Sequence, residues 1–114
     1  MDQRTEEWFA ARLGKVTASK IADVMAQGRG GAPSATRANY RALLVVERLT
    51  GVAQEGFRNS AMDHGTETEP QARATYTLNT GRNVDEVGFV PHPRIEMSGA
   101  SPDGLIGHDG LIEI

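Results

Sequence analysis

The order of sequence patterns predicts an α/β or α+β domain, with helices in the first part of the chain and strands in the second. Up to residue 80, apolar residues recur at helical spacing between capping residues. After Gly81 they form short runs bounded by proline and glycine, which is typical of strands. A chain of 114 residues without cysteine is long enough for one domain whose core needs no disulfide.

Two short helices are predicted at the start of the chain. Thr5 has the side chain of an N-cap, and the first helix is expected to run from there to Gly14. The second helix is expected to begin near Thr17 or Ser19 and to continue to about Ala26. Both begin at a hydroxyl-bearing residue, which can accept hydrogen bonds from the free N–H groups of a first turn.

Two further helices follow. The third is predicted to begin after Ser34 as N-cap and to end at Gly51, where a C-terminal glycine is expected. The fourth occupies part of residues 59–79. Gly65 and Pro70 in its middle predict a kink or a restart, because proline removes a donor from the helical ladder.

Three strands are predicted in the last part of the chain. Residues 84–90 form the first, which Pro91 stops, and residues 97–106 form the second. Residues 111–114 begin the third, and the His-Asp-Gly sequence at 108–110 is a turn signal before it. This third strand stops in the middle of its apolar pattern, which would leave an exposed edge. We therefore expect an N-terminal part of a longer chain, and the alternative is a true terminal strand.

Charge is distributed unevenly along a chain whose net charge is −3. Residues 1–58 carry +3 and residues 59–114 carry −6. A basic half beside an acidic half suits an enzyme that holds a polyanion and coordinates a cation, and the alternative is a mixed, solvated surface. The acidic N-terminus is unlike a signal peptide, and no apolar run is long enough for a membrane span. We expect a soluble, intracellular chain.

Asp103 and Glu113 are the central candidates for metal ligands, because carboxylates on neighbouring strands can hold one Mg²⁺. A three-residue loop at 108–110 would pair Leu105 with Glu113 and put Asp103 on the same face as Glu113, on a diagonal. A two-residue loop would pair Ile106 with Glu113 and turn Asp103 to the other face. A metal site therefore requires the loop of odd length.

Each acidic candidate also has a structural interpretation. Asp103 lies in a Pro-Asp-Gly sequence, which is a common turn. Glu113 is either a buried carboxylate that needs a partner or the solvent face of a strand. Glu69 is a third candidate, and with Thr66 it also fits a capping box at a helix start.

A candidate phosphate site lies on the basic side of the sequence. Arg12 precedes a predicted helix start that contains Thr17 and Ser19. Free N–H groups, hydroxyls and a bidentate guanidinium together can bind phosphate. The alternative is an ordinary cap beside a surface arginine. Trp8, four residues before Arg12, is expected in the core rather than stacked on DNA.

Several sequence blocks occur in an order that resembles one family. They are Glu7-Trp8, Arg12-Leu13-Gly14, Thr17-Ala18-Ser19, residues 65–73, Ser101-Pro102-Asp103-Gly104 and residues 111–114. Together they resemble the phage lambda exonuclease (YqaJ-like) recombinases of the PD-(D/E)xK nuclease superfamily. The resemblance covers nearly the whole chain, and the ordered set is more specific than the last two blocks alone.

The resemblance implies a Mg²⁺-dependent 5′→3′ exonuclease on linear duplex DNA that leaves a 3′ single-stranded overhang for recombination. It implies a restriction-endonuclease-like core, a mixed central sheet flanked by helices, which is incomplete at the C-terminus, so that residues 1–114 are the N-terminal part of a single exonuclease domain. Implied partners are double-stranded DNA ends, a single-strand annealing protein and further copies in a trimer. The implied location is the cytoplasm of a bacterial host, and one or two Mg²⁺ or Mn²⁺ ions are the implied cofactor.

Site residues follow from the matching motifs. Asp103, Glu113 and the backbone carbonyl of Ile114 are implied as metal ligands, and Glu69 as the residue that holds or orients metal-bound water. Two Mg²⁺ ions between carboxylates can activate water and stabilise the leaving oxygen. Arg12 and Ser19, with Thr17 beside them, are implied to bind the 5′-phosphate.

One departure from the family pattern concerns the Glu-x-Lys motif, because the chain ends at Ile114, where the lysine should follow. We therefore predict that the 114-residue chain is catalytically inactive by itself. Two alternatives are a non-catalytic module that binds DNA ends and another PD-(D/E)xK endonuclease. A further alternative is a plain structural domain. We find no element that reads bases and expect no sequence specificity.

Overall fold

The computed structural model describes residues 1–54 and 60–114, with helices in the first part and short strands in the second. This order confirms the predicted mixture of helices and sheet. The elements are α1 (Glu6–Arg12), β1 (Val16–Thr17), a 3₁₀ turn (Ala18–Lys20), α2 (Ile21–Val24), a second 3₁₀ turn (Arg29–Gly31), α3 (Ala35–Thr50), α4 (Ser60–Thr80), β2 (Val90–Pro91), β3 (Ser98–Ala100), β4 (Gly104–Ile106) and β5 (Gly110–Ile112).

The first helix begins where it was predicted. The Oγ1 atom of Thr5 accepts a hydrogen bond from the N–H of Trp8 at 3.3 Å, which caps α1. The helix ends at Arg12, and Gly14 takes a left-handed φ of +67° two residues later. The second predicted helix is shorter and less regular than expected, since it consists of the 3₁₀ turn followed by α2, which ends at Val24.

Helix α3 confirms the predicted caps at both ends. Ser34 Oγ accepts from the N–H of Arg37 at 3.2 Å. Gly51 takes a left-handed φ of +69° and donates its N–H to the carbonyl of Glu47 at 2.8 Å. The buried side of α3 carries Tyr40, Leu44 and, unusually, the carboxylate of Glu47.

The sequence predicted a kink or a restart at Gly65 and Pro70. Helix α4 is one continuous helix, so the restart is wrong. Proline removes one donor, but hydrogen-bonded turns on both sides continue the helix through it. Thr66 and Glu69 lie inside α4 rather than at its start, which excludes the capping-box interpretation of Glu69. Residue 59, where the predicted range began, lies outside the described residues.

The strands form a mixed sheet and a separate hairpin. Strand β3 is central in the sheet, parallel to β1 and antiparallel to β2. The hairpin consists of β4 and β5 and is joined to residue 85 by a bridge from Asp85 to Leu105. The predicted strand at 97–106 is therefore two strands, because the chain leaves the first sheet before it enters the hairpin.

Pro91 does not stop the strand that precedes it, which corrects another prediction. It lies within β2, opposite Gly99, and most of the predicted strand at 84–90 is irregular. Strand β2 is at the edge of the three-stranded sheet, where a residue without an N–H is tolerated. The N–H of His92 restores the ladder by donating to the carbonyl of Ser98 at 2.9 Å.

The core of the described residues is small and lies between α1, α3 and the sheet. Its buried apolar side chains are Trp8, Tyr40, Leu44 and Phe89. Trp8 is 8% exposed, which confirms that it belongs to the core. Among the helices described, none combines the length and the apolar content that crossing a membrane requires.

Candidate active site

The hairpin of β4 and β5 brings the two central acidic residues opposite each other. Its ladder pairs Ile106 with Gly110 and Gly104 with Ile112, so the next positions along it are Asp103 and Glu113. Side chains directly opposite in an antiparallel pair lie on the same face. The shared face is as predicted, but the two residues are directly opposite rather than diagonal.

The register differs from the predicted one because the three-residue loop is 107–109 and not 108–110. Gly107 takes the left-handed conformation, with a φ of +62°, and Gly110 lies in β5. Gly110 is required there for another reason, since a Cβ atom on it would lie 2.8 Å from the carbonyl oxygen of Ile106. The glycine that the sequence assigned to the turn instead permits close strand pairing.

The carboxyl groups of Asp103 and Glu113 interact directly. The pKa of Glu113 is raised, first by partial desolvation and then by the charge of Asp103, by a hydrogen bond to Asp103 and by the charge of Glu69. Oδ2 of Asp103 also accepts the N–H of Ile114 at 2.8 Å, which fixes its orientation. Two adjacent carboxyl groups form an oxygen donor set suited to a hard divalent cation.

The third acidic residue, Glu69, is held by arginines on the hairpin side of α4. Its side chain is 13% exposed, and Oε2 lies 3.5 Å from Arg4 Nη2 and 3.6 Å from Arg73 Nη1. Within residues 1–54 and 60–114, no three acidic or histidine side chains are close enough together to hold a metal ion. Glu69 is therefore near the Asp103–Glu113 pair but paired with cations instead of completing a three-carboxylate site.

Arg73 links α4 to the hairpin, and the sequence interpretation missed it. Its Nη1 atom donates to the carbonyl of Asp103 at 3.1 Å, and Nη2 pairs with Glu86. The side chain of Arg73 is 13% exposed, whereas that of Glu86 is 60% exposed, so the guanidinium is buried at the hairpin and reaches the surface at Glu86. The signal available in the sequence was the i,i+4 spacing of Glu69 and Arg73.

The candidate phosphate residue Arg12 lies at the end of α1, against the face of Trp8. Its guanidinium carbon is 3.9 Å from the ring centroid, which is a cation–π contact. Burial lowers the pKa of Arg12, whereas Tyr40 and Glu47 act in the opposite direction. In the part of the chain that the structure describes, Arg12 Nε is buried without a hydrogen-bond partner.

The turn after Arg12 is held by two consecutive residues of α3. Gly14 donates its N–H to Glu47 Oε1 at 3.0 Å, and its carbonyl accepts from Arg48 Nε at 2.9 Å. The other carboxylate oxygen of Glu47 accepts the N–H of Gln54 at 2.8 Å. A Cβ atom on Gly14 would lie 2.5 Å from Arg48 Cγ, so only glycine fits this turn. Sequence reasoning missed Glu47 because its position on the buried face is visible only after folding.

The two hydroxyl residues lie where the second helix was predicted to begin, since Thr17 is the N-cap of the 3₁₀ turn before α2, but the side chain of Thr17 caps no N–H group. Thr17 is buried, and its Oγ1 atom is 3.2 Å from Ser19 Oγ. The N–H of Thr17 donates to the hydroxyl of Tyr40 at 3.3 Å. A cleft of about 790 Å³ opens here, with basic and hydroxyl groups among its walls. Of the residues that concern phosphate binding, Arg12, Lys15, Thr17 and Lys20 line this cleft, whereas Ser19 is not among its wall residues.

Trp8 connects this cleft to the segment that precedes Asp103. Its Nε1–H donates to Ser101 Oγ at 3.0 Å. Gln3 supports the same segment, because its Nε2 donates to the carbonyls of Pro102 at 2.9 Å and of Ser101 at 3.3 Å. The two candidate sites are thus joined through the buried side chain of Trp8, although they are far apart in sequence.

Comparisons with known proteins agree on one family. The model of the YqaJ-like viral recombinase domain matches residues 7–114. Two crystal structures are similar to the chain, that of an alkaline exonuclease (LHK-Exo) from Laribacter hongkongensis and that of LHK-Exo in complex with dAMP. Both are 57% identical to it and cover 96% of it, with TM-scores of 0.80 and 0.81. No curated protein sequence matches the chain.

The chain spans about half of the proteins in these structures, since it covers 52% of each. The family match covers nearly all of its residues, including Arg12, Glu69, Asp103 and Glu113. This confirms the resemblance drawn from the ordered sequence blocks. The chain belongs to the YqaJ-like viral recombinase domain family.

Proposed function

We propose that this chain is part of a Mg²⁺-dependent 5′→3′ exonuclease that digests one strand of linear duplex DNA and leaves a 3′ overhang for recombination. The observation that carries the proposal is the opposition of Asp103 and Glu113 on one face of the hairpin, with the Arg12 cleft connected to it through Trp8. The 57% identity to an alkaline exonuclease supports the nuclease activity. The dAMP in the related structure is a nucleoside monophosphate, the kind of product that stepwise hydrolysis releases.

The donor set fits a divalent metal ion bound by Asp103, Glu113 and the backbone carbonyl of Ile114. Such an ion supplies Lewis-acid stabilisation of the phosphate and lowers the pKa of a bound water. The hydrogen bond from the N–H of Ile114 to Asp103 holds one of these carboxylates in place before any ligand arrives. Arg73 does the same for the backbone of Asp103 from the side of α4. The pair is therefore preorganised by the chain itself.

Glu69 is suited to orient the attacking water. Its side chain is largely buried, and its Oε2 atom is held by ion pairs with Arg4 and Arg73. Water positioned in this way meets the phosphodiester in one geometry, which lowers the entropic part of the barrier. The lysine of the family motif would act on the same water, and we propose that the 114-residue chain is inactive without it.

The Arg12 cleft is suited to bind the terminal 5′-phosphate. The Nε atom of Arg12 is a buried donor without a partner among the described residues, which a phosphate oxygen would satisfy. The hydroxyls of Thr17 and Ser19 can donate to the same anion. Binding of the terminal phosphate registers the strand, so that hydrolysis proceeds from the end.

The remaining parts of the proposal concern the assembly around the DNA. We propose double-stranded DNA ends and a single-strand annealing protein as partners, a homotrimer as the complete assembly, and the cytoplasm of a bacterial host as the location. In this proposal residues 1–114 are the N-terminal part of one exonuclease domain. No base-reading element is expected, because the register comes from the phosphate and not from base edges.

The test is the release of nucleotides from 5′-phosphorylated linear duplex DNA with Mg²⁺. We would compare the 114-residue chain with a chimera in which it is joined to the part of LHK-Exo that it does not match. Activity of the chimera alone, abolished by Asp103→Asn and reduced on a 5′-hydroxyl end, is the expected result. Cleavage of closed circular DNA would instead identify an endonuclease.

A second candidate function is a non-catalytic module that binds DNA ends. It is favoured by the cation pairs of Glu69, which leave two carboxylates opposed at the hairpin. Tight binding of 5′-phosphorylated ends by both proteins without any nucleotide release would favour this function over the exonuclease.

A further inference from the structure

We propose that Trp8 is a positioning residue that sets the distance between the terminal phosphate and the cleaved phosphodiester. This inference rests on the proposed function and deepens it, because it assigns the spacing of the two sites to one side chain. Arg12 stacks on one face of the indole, and the indole N–H is bonded to Ser101, two residues before Asp103. A change at either end of this chain of contacts would move one site relative to the other.

Trp8 can couple the positions of Arg12 and Ser101 because its own side chain is rigid. The ring is 8% exposed and packs edge-on against Phe9, with 4.9 Å between ring centroids. An indole has only two side-chain torsions, and both are fixed when the face and the N–H are engaged. The guanidinium of Arg12 is held at 3.9 Å from the ring centroid, so its place follows that of the indole.

The backbone alone does not fully fix the distance between the Arg12 cleft and Asp103. Strand β1 pairs with β3 only through Val16 with Ser98 and Thr17 with Gly99. Beyond β3 the chain bends through Pro102 before β4 begins at Gly104, so the sheet ladder does not reach Asp103. The hydrogen bond from the Trp8 indole N–H to Ser101 Oγ reaches the segment between β3 and β4. Gln3 Nε2 also donates to the carbonyls of Ser101 and Pro102 in this segment.

The consequence for the reaction is a fixed cutting position. When a strand is held by its terminal phosphate, the next phosphodiester meets the carboxylates only if the two sites keep a set distance. We therefore expect loss of the bond from Trp8 to Ser101 to broaden the cutting position while end binding stays intact. A residue with a merely structural role would change binding and position together.

The experiment maps this distance without requiring catalytic activity. Fe²⁺ replaces Mg²⁺ on the 114-residue chain bound to 5′-phosphorylated duplex DNA, and ascorbate with peroxide generates hydroxyl radicals at the metal. Radical cuts in the DNA are then located from the 5′ end. In the unaltered chain we expect cuts confined to one or two positions, and Asp103→Asn should abolish the localised pattern.

Two variants remove the same hydrogen bond from opposite ends. Trp8→Phe keeps an aromatic face for Arg12 and loses the N–H, and Ser101→Ala loses the acceptor. Each should spread the cuts over several positions, with DNA affinity within about twofold of the unaltered chain. The double variant should equal the single ones, because one bond is lost in all three. Ser98→Ala, whose hydroxyl bonds to the carbonyl of Ile95, is the matched control and should leave the cuts unchanged.

Trp8 is the only tryptophan of the chain, so its fluorescence checks the fold of Ser101→Ala, and circular dichroism checks the fold of Trp8→Phe and of the double variant. Ser101→Ala should shift the emission of the buried indole to shorter wavelength, while circular dichroism stays unchanged. Localised cuts that are unaltered in Trp8→Phe and Ser101→Ala would overturn the inference and leave the exonuclease proposal standing. Absence of localised cuts in the unaltered chain would overturn the proposed metal site, and the inference with it.

Discussion

At the candidate site, the charged forms of Glu113 and Arg12 are each disfavoured by their surroundings. The pKa of Glu113 is raised first by desolvation and then by the neighbouring carboxylate of Asp103. Arg12 is partly buried, which lowers its pKa, and one of its donors is unpartnered among the described residues. The proposed ligands would relieve both costs, a cation at Glu113 and a phosphate at Arg12.

We predict that Glu113→Gln weakens the pH dependence of stability. Because the pKa of Glu113 is raised by folding, the folded state holds this proton more tightly than the unfolded state does. The free energy of unfolding should therefore fall as the pH rises through the pKa of the folded state, and less so in the variant. Mg²⁺ should raise the melting temperature of the unaltered chain but not of the variant.

Thermal unfolding measured across the acidic pH range, with and without Mg²⁺, checks this prediction. Glu96→Gln serves as the control, since Glu96 is an exposed carboxylate that contributes nothing to the shift at Glu113. An equal loss of pH dependence in both variants, or an equal response of both to Mg²⁺, would contradict the assignment of the effect to Glu113.

A second prediction concerns Arg12→Lys. Lysine keeps the positive charge but loses the planar fork, and it stacks less well on the indole. Preference for a 5′-phosphate over a 5′-hydroxyl end should fall by about tenfold, as expected for the loss of one bidentate contact. Fluorescence anisotropy with the two DNA ends measures it. Arg29→Lys, at an exposed turn outside the cleft walls, should keep the full preference.

At the scale of elements, the turn between α1 and β1 is the most constrained connection of the candidate site. Helix α3 holds both polar groups of Gly14 through Glu47 and Arg48, and Gly14 itself is left-handed. This fixes where α1 ends and therefore where Arg12 lies. The buried carboxylate of Glu47 thus has its partners from the backbone, as a buried charge requires.

We predict that Gly14→Ala costs more stability than Gly30→Ala, although the two glycines have similar φ values of +67° and +59°. At Gly30 the added Cβ meets nothing within 4 Å, so only the left-handed conformation is penalised, by about 1 kcal/mol. At Gly14 it meets Arg48 Cγ at 2.5 Å, and the helix contact must also shift.

Denaturant unfolding of both variants measures how much free energy of unfolding each one loses. The difference between the two losses is the contribution of the contact with α3. We expect Gly14→Ala alone to weaken binding of a 5′-phosphorylated end, because displacement of this turn moves Arg12. Equal stabilities, or equal DNA affinities, would mean that α3 does not hold the phosphate site.

On the scale of the whole molecule, the first part of the sequence has a positive net charge and the second part a negative one. In the fold, these two parts form two candidate sites that Trp8 connects. The residues up to 58 supply the basic cleft, and those after it supply the acidic pair. Trp8 joins them through Ser101. In the proposed function, a polyanion in the cleft would be connected through Trp8 to carboxylates that bind a cation, and the charges of the two ligands would be complementary.

The final prediction concerns the salt dependence of DNA binding. If Lys20 contacts a phosphate from the cleft wall, Lys20→Ala should reduce the slope of log K against log salt concentration by about 0.9. Titrations at several salt concentrations measure this slope. Arg94→Ala, outside the cleft walls, should leave it unchanged, and equal slopes in all three proteins would contradict the cleft as the DNA-binding surface.

Local patterns were sufficient to predict much of the helical part of the fold. The caps at Thr5, Ser34 and Gly51 were correct because each involves hydrogen bonds within a few residues. The restart at Pro70 was wrong, since one proline does not outweigh the hydrogen-bonded turns of a long helix. The strands were less accurate, because a strand depends on distant partners that a single sequence does not identify.

The sequence by itself determined which residues are available for the chemistry and, through the order of its blocks, the family of the chain. It also determined that Asp103 and Glu113 can share a face, because side-chain alternation depends only on loop parity. Only the tertiary structure decided their register, the pairing of Glu69 with arginines and the roles of Glu47 and Arg73. It also decided that Trp8 joins the two sites, since contacts between residues 8 and 101 arise from packing, which local spacing does not encode.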